Sequence, residues 1–408
     1  MSGSTETRTV DVAVIGAGIV GLGIAWAAAL SGRTVAVIDA APAQGATYAA
    51  AGMLAAVSEL HFQEEDLLEL TLASAALYPA FLATLGVDAA AAGYRTTSTL
   101  VLGVDSADRR ALADLRELQV AHGLDVRPLP VREARALEPL LSPQISAAFR
   151  VARDHQVDPR RLATCLQSAL AELAGQSGWA HQPAIGRNAV RLLHERPDDS
   201  RSRVTGVALD DGSTVAASEV IVANALAASS LGDLPAGLAL PLRPVHGDIL
   251  RLRVPTHLQP FLTDTVRGLV RGLPVYLVPR SDGTVVLGAT QREHGSDAAS
   301  IGGVYQLLRD AQALVPAIAE LELIEVTARA RPGTPDNAPL LGRVSSGVED
   351  HDIPGLIIAT GFFRHGVLLT PLAAEICVRL LDDSAESRWH RFRPDRFSPH
   401  IEKEYTRA

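Results

Sequence analysis

The stretch TVDVAVIGAGIVGLGIAWAAALSGRTVAVIDA, from Thr9 to Ala40, decides the fold. It reads as strand, turn, helix, turn, strand. The first strand is expected over Val10–Ile15, the helix from about Val20 to Leu30, and the second strand over Thr34–Ile38. Gly16, Gly18 and Gly21 form a G-x-G-x-x-G spacing directly after the first strand. Each glycine has its own physical role. Gly16 makes the tight turn, Gly18 lets the backbone approach a pyrophosphate, and Gly21 lets the helix pack on the strand. The helix N-terminus then faces the anion. The second strand ends at Asp39, 18 residues after Gly21, where a carboxylate can accept from ribose hydroxyls. The glycine spacing alone is a weak signal. With a strand before it, a helix after it and an acid at this distance, it specifies a dinucleotide site.

The same stretch has a competing reading. Val12 to Gly32 is a run of 21 uncharged residues, long enough to span a membrane. The glycine spacing argues against a span, and the preceding MSGSTETRTVD is mixed in charge, unlike the basic start of a secretory signal. The expectation is a cytoplasmic protein with no membrane span.

Composition narrows the chemistry. The chain has 408 residues, 47% of them hydrophobic, and a net charge of −9. That length makes room for two to three domains' worth of chain. No basic cluster stands out, so nucleic acid is not an expected partner. Aromatic residues make up only 4%, so the core must be mostly Ala, Val, Leu and Ile. Of 37 cationic residues only one is a lysine, Lys403. A Schiff-base lysine, and with it pyridoxal phosphate chemistry, has only Lys403 to draw on and is not expected. Any anion site must use arginine, backbone amides or a helix N-terminus. Cys165 and Cys377 lie in apolar helical patterns and read as packed thiols. The histidines show no metal-binding spacing, so no metal site is expected.

Further along, Asp158 and Pro159 read as N-cap and first residue of a helix. Asp211-Gly212 reads as a hairpin turn. PLRPVHGDILRLRVP, GLPVYLVPRSDGTVVLGAT and LELIEVTARARPGT alternate like strands of a mixed or antiparallel sheet. SADRRALADLRELQVAHG and GGVYQLLRDAQALVPAI read as amphipathic helices. GLIIATGFFRHGVLLTP reads as a buried strand, a turn, and a helix begun by Thr370 as N-cap and Pro371 as first residue. Strand parity places Arg329 and Arg331 on one side and does not choose between them. The final RWHRFRPDRFSPHI is a basic, aromatic tail expected to pack on the surface.

VIGAGIVG, GATYAAAGMLA, VDPRRL, YLVPRSDGTVVLGAT, RPGTPDNAPLLG and ATGFFRHGVLLTP together resemble, in that order, the glycine oxidases of the ThiO type, within the FAD-dependent family that holds D-amino acid oxidase and sarcosine oxidase. The resemblance runs from about Asp11 to Leu381. It implies an α/β fold in which a Rossmann-like FAD-binding domain (8–88, 151–236 and 335–384) is interleaved with a strand-rich α+β substrate domain (89–150 and 237–334), followed by a tail (385–408). It implies non-covalent FAD, since there is no cysteine near RPGTPD and no lysine before Lys403. The pyrophosphate would lie over Ile19 and Val20, and the ribose on Asp39 and Ala40. Ala46, Thr47, Ala51, Gly52 and Met53 would line the flavin, and Val157 would meet the adenine through its backbone. Phe362, Phe363, Arg364, His365, Gly366, Val367 and Leu368 would wrap the pyrimidine end. Arg331 and Tyr276 would hold the substrate carboxylate, with Arg364 also turned toward substrate and Gln291 nearby.

The chain departs from the family pattern at Gln291, where methionine is common, and at Thr327 and Arg329, which stand for a tryptophan and a glycine. ANALAAS, from Ala223, replaces a turn containing glycine and tryptophan. The implied reaction is FAD-dependent oxidation of glycine or another small amino acid by molecular oxygen, giving imine and 2-oxo acid, ammonia and hydrogen peroxide, and feeding thiamine thiazole synthesis. A D-amino acid or N-methyl amino acid dehydrogenase with another acceptor, a non-catalytic flavin-binding partner subunit and a nicotinamide-linked dehydrogenase stand as alternatives. Oligomer formation is left open.

Overall fold

The computed structural model describes residues 7–293, 295–347, 351–384 and 386–398. Its first strand, Thr7–Ile15, is apolar and buried from Val12 onward, as a strand covered on both faces must be. It pairs in parallel with Val35–Ile38 on one side and Thr214–Val222 on the other. Strand Asp352–Thr360 extends the parallel set beyond Thr214–Val222. Between the first two strands runs helix Ile19–Leu30, only 12 residues long and buried, so the uncharged run is a strand, a turn and a short helix. Gly16 has φ of +106°, and a Cβ there would lie 2.6 Å from the Ala223 carbonyl oxygen. A Cβ on Gly21 would lie 2.0 Å from the Gly16 carbonyl oxygen. Helix and strand meet at a distance that only glycine permits.

Antiparallel strands Ala189–His194 and Val204–Leu209 extend this sheet to eight strands, the latter joined to Thr214–Val222 through the Asp211-Gly212 turn. A second eight-stranded sheet is antiparallel except where Thr265–Val270 runs parallel to Thr99–Gly103. It contains Arg243–Arg253, Leu273–Pro279, Thr284–Gly288 and Glu322–Gly333. Its strands come from two separate parts of the chain, and the first sheet is completed on either side of them. Helix Ile301–Leu314 packs Leu307, Ala311 and Leu314 into the second sheet's own core.

Helix Asp66–Ala83 is long and apolar enough by length and composition to cross a membrane. Here it buries Leu67, Leu70, Tyr78 and Leu82 in the core beside the first sheet. Its hydroxyls also correct one expectation. Thr370 and Pro371 do not start the last helix, which spans Gly366–Leu381 with Pro371 inside it. Proline within a helix removes one donor, at a typical cost of about 3 kcal/mol. The carbonyl left without its partner is that of Val367, and the Tyr78 hydroxyl donates to it at 2.6 Å. One residue on, the Ser74 hydroxyl donates to the Leu368 carbonyl at 2.7 Å and accepts from the Leu372 amide at 3.3 Å. Side chains of another helix thus let this one begin a turn earlier.

The tail differs from a surface-packed segment. Trp389 and Phe392 are buried in the same core, and Arg391 pairs with Glu69 at 2.8 Å. Lys403 lies outside the described residues. Asp158 caps its helix, accepting from the Arg160 amide at 2.9 Å and the Arg161 amide at 3.3 Å. Cys377 is buried, Cys165 half-buried, and both are free.

Candidate active site

Between the two sheets lies a cavity of about 480 Å³. One end is built by the Gly18 turn. A Cβ on Gly18 would face into the cavity, with only the Thr47 hydroxyl nearby, at 3.5 Å. That hydroxyl accepts from the Ile19 amide at 2.9 Å, at the helix N-terminus. Asp39 accepts from the Ala17 amide at 2.7 Å and the Ala41 amide at 2.8 Å. These two bonds fix its carboxylate at the strand end. Gly16 and Gly21 shape the turn from behind, and Ala40 is exposed beside Asp39.

The middle of the cavity is lined by Val20, Ala46, Ala51, Gly52 and Met53. Gly52 has φ of +72°, and a Cβ would lie 2.0 Å from the Val157 carbonyl oxygen. Val157 is placed differently from the expectation. Its amide donates to the Gly52 carbonyl at 2.9 Å and its carbonyl accepts from Arg280 at 2.9 Å. Both backbone groups are engaged under Gly52, so it supports the cavity floor from behind. The residue beside Asp39 is Ile185, whose carbonyl accepts from the Asp39 amide at 3.0 Å. Arg280 was not visible as a site residue in the sequence. It is buried, donates to the carbonyls of Ala51 and Val157, and burial lowers it to about 10.

The far end is closed by Phe362–Leu368. Because the helix begins at Gly366, the amides of Gly366, Val367 and Leu368 occupy its first turn and have no intrahelical acceptor. They make a second positive helix end facing the same cavity. A dinucleotide flavin has a pyrophosphate and, when reduced, an electron-rich pyrimidine edge. Two helix N-termini, the bare Gly18 and a lining of small apolar residues fit both parts.

Arg331 lines the cavity from strand Glu322–Gly333. Its guanidinium lies over Gly247, where a Cβ would be 2.5 Å from both terminal nitrogens. Among the described residues its hydrogen bond to a backbone carbonyl is a long one, 3.5 Å to Thr290, and its side-chain hydrogen-bond neighbour is Tyr276. Among the described residues no carboxylate pairs with it. Tyr276 stands close by. Burial raises its hydroxyl pKa and the adjacent Arg331 offsets part of the rise, so it remains a protonated donor. Gln291 is exposed at the cavity mouth. Arg329 shares the Arg331 side of the strand, as parity requires, but its guanidinium is used. It donates to the Gln44 carbonyl at 3.0 Å and the Ala328 carbonyl at 2.8 Å. Thr327 donates to Glu325, which Arg160 holds with two bonds of 2.8 and 3.0 Å.

Arg364 also departs from expectation. Its guanidinium pairs with Glu64 and lies 3.5 Å from Glu59, so its charge is matched by the protein itself. Arg267 donates to the other oxygen of Glu59, and Asn337 donates to Glu64 at 2.8 Å. Burial pushes the Glu59 carboxyl up, but Arg267, His365 and Arg364 outweigh it and hold the pKa at about 2. Burial first, and then Arg364, lowers His365 to about 4, so its ring is neutral at neutral pH. Burial likewise lowers His61. Glu59, Glu64, His61 and Arg267 follow no spacing motif and went unread in the sequence.

Fold and site together define a flavin-dinucleotide oxidoreductase. The family described as DAO, FAD dependent oxidoreductase, matches residues 11–380, and the chain belongs to it; its cofactor is FAD. The chain is 32% identical to a glycine oxidase of Geobacillus kaustophilus over 92% of its own length and 94% of that protein's. It is 32% identical to a bifunctional protein ThiO/ThiG of Synechocystis, covering 95% of this chain and 54% of the relative. The crystal structure of glycine oxidase from Geobacillus kaustophilus superimposes with a TM-score of 0.81 at 29% identity, over 95% of this chain and 99% of that one.

Proposed function

We propose that this chain oxidises glycine, or another small α-amino acid, with its carboxylate held on Arg331. The observation that carries the reading is the unmatched Arg331 guanidinium inside the cavity, beside a Tyr276 hydroxyl that stays protonated. A planar fork binds a carboxylate with two parallel bonds, and Tyr276 supplies a further donor. Ile249 and Met53 line the same space and exclude water from the Cα–H. FAD, held by the Gly18 turn and the Phe362–Leu368 loop, would supply the two-electron oxidation of that Cα–H, with oxygen as the final acceptor and hydrogen peroxide as its product. The amino group loses its proton, and the imine hydrolyses in solution to a 2-oxo acid and ammonia. The pairs Arg267–Glu59 and Arg364–Glu64 add no net charge, and the Arg329 donors are taken by the Gln44 and Ala328 carbonyls, which leaves the Arg331 fork as the one placed to receive a substrate carboxylate. Most of the rate gain comes from positioning. The product fits a supply route for thiamine thiazole synthesis in the cytoplasm.

The test is oxygen uptake and peroxide formation over glycine, sarcosine and D-amino acids. The protein should purify yellow, and acid precipitation should release FAD. Peroxide is expected with glycine. Dye reduction without oxygen uptake would instead indicate a dehydrogenase, and failure of every amino acid to bleach the flavin would indicate a binding protein.

A further inference from the structure

Behind the Arg331 wall, on the face of strand Arg243–Arg253 turned away from the cavity, Asp248 is fully buried at 0% exposure. Its carboxylate holds three points of one segment. Oδ2 accepts from the Thr290 hydroxyl at 2.6 Å. Oδ1 accepts from Arg292 at 3.0 Å and from the Ser300 amide at 3.1 Å. The Asp248 amide in turn donates to the Thr290 hydroxyl at 2.8 Å. Gly303 leaves room for this arrangement, since a Cβ there would lie 2.2 Å from Asp248 Oδ2. The neighbouring residue on the strand, Gly247, carries Arg331 on its bare backbone, and the Thr290 carbonyl is the acceptor that Arg331 reaches. One buried carboxylate therefore fixes both the strand under Arg331 and the residue that orients it.

We infer that Asp248 is a positioning residue for substrate-carboxylate binding, acting through Thr290 on Arg331. This rests on the assignment of Arg331 as the carboxylate receptor. Asp248 is buried and is not among the residues lining the cavity. A carboxylate is required because Arg292 has to be neutralised while Thr290 and Ser300 donate to the same group. Losing it takes the anion from Arg292 and lets the Thr290 carbonyl drift; at metal sites, partners one layer behind the ligands typically change affinity by about 10–100-fold, and the same logic applies to a positioned guanidinium.

The test compares Asp248→Asn, Thr290→Val and their double variant in the FAD-loaded enzyme, with Arg331→Ala alongside. The readouts are KM and kcat for glycine, Kd for acetate from the flavin absorbance change, FAD occupancy and Tm. Asp248→Asn should raise both KM and the acetate Kd about tenfold, with kcat within about threefold and FAD retained. Thr290→Val should act in the same direction, and the double variant should fall short of the product of the two. If Asp248→Asn does not fold, Thr290→Val decides. Wild-type acetate binding in both variants, or a fall in Tm alone, overturns the inference while leaving Arg331 in place. Unchanged acetate binding in Arg331→Ala overturns the carboxylate assignment itself, and this inference with it.

Discussion

Two walls of one cavity treat their arginines in opposite ways. On strand Glu322–Gly333, among the described residues, neither Arg329 nor Arg331 has a carboxylate partner; Arg329 spends its donors on two carbonyls, whereas Arg331 reaches one carbonyl only at 3.5 Å. Across the cavity, Arg267 and Arg364 are matched by Glu59 and Glu64. Burying a guanidinium is costly unless an anion and hydrogen-bond acceptors accompany it. A scaffold supplies that anion from its own chain; a binding site leaves it to the ligand. The contrast separates residues that lie close together in the fold and look alike in sequence. It also revises Arg364, whose charge is already taken up in holding the loop Gly361–His365 to the segment Glu59–Glu64.

The strongest way to break this contrast is Arg331→Ala. Truncating one partner of a desolvated charge pair typically loses about 2–5 kcal/mol, or roughly 30- to 4,000-fold in kcat/KM, with FAD occupancy unchanged. Steady-state kinetics with glycine checks it. Arg364→Ala, whose charge is internally matched, should lose less activity and more stability than Arg331→Ala. The reverse order in parallel kinetics and thermal melts would show that the two walls have been misassigned.

Glu59→Gln should act on the scaffold. It leaves the half-buried Arg267 guanidinium without its anion while Arg364 keeps Glu64, and breaking a buried pair costs up to about 3–5 kcal/mol, seen as a lowered Tm. Its pH dependence has a definite sign. The folded pKa of Glu59, about 2, lies below its ordinary 4.5. Its stabilisation is therefore complete above 4.5 and is lost as pH falls toward 2. In denaturant melts the gap between the native protein and Glu59→Gln should close over that window.

His365 gives a smaller effect in a milder range. Its folded pKa, about 4, lies below the ordinary 6.5, so between these values the unfolded chain binds more protons. Stability falls as pH drops from 6.5 to 4. His365→Gln should flatten that part of the curve, and parallel slopes for the two proteins would count against a neutral buried ring. The smallest effect is assigned to Arg329→Ala. Its donors are already spent on Gln44 and Ala328, so kcat/KM should stay within about threefold. A loss larger than that of Arg331→Ala would transfer the carboxylate to Arg329.

The nucleotide end was legible because its parts are contiguous: Gly16, Gly18, Gly21 and Asp39 fall within one strand–helix–strand unit, where spacing fixes geometry. The far end was legible as a place but not in detail. Pro371 resembles a helix start in any local reading, and only the hydroxyls of Tyr78 and Ser74, nearly 300 residues earlier in the chain, allow it inside the helix. Val157 was assigned to adenine by resemblance, whereas the fold sets its backbone against Gly52 and Arg280. Parity placed Arg329 and Arg331 on one side, and it took their hydrogen-bond partners to tell them apart.

By itself the sequence determined the dinucleotide turn, the alternation of buried and exposed strand residues, the absence of lysine chemistry and the supply of arginines from which an anion site had to be made. These follow from backbone geometry and side-chain inventory, which act over a few residues. Tertiary structure alone decided which arginine keeps its donors free for a ligand, that Glu59 and Glu64 neutralise the opposite wall, and that Asp248 lies behind the Arg331 wall. Ion pairing and desolvation depend on distance in space, and Glu59 stands 208 residues from Arg267 with no sequence period to connect them.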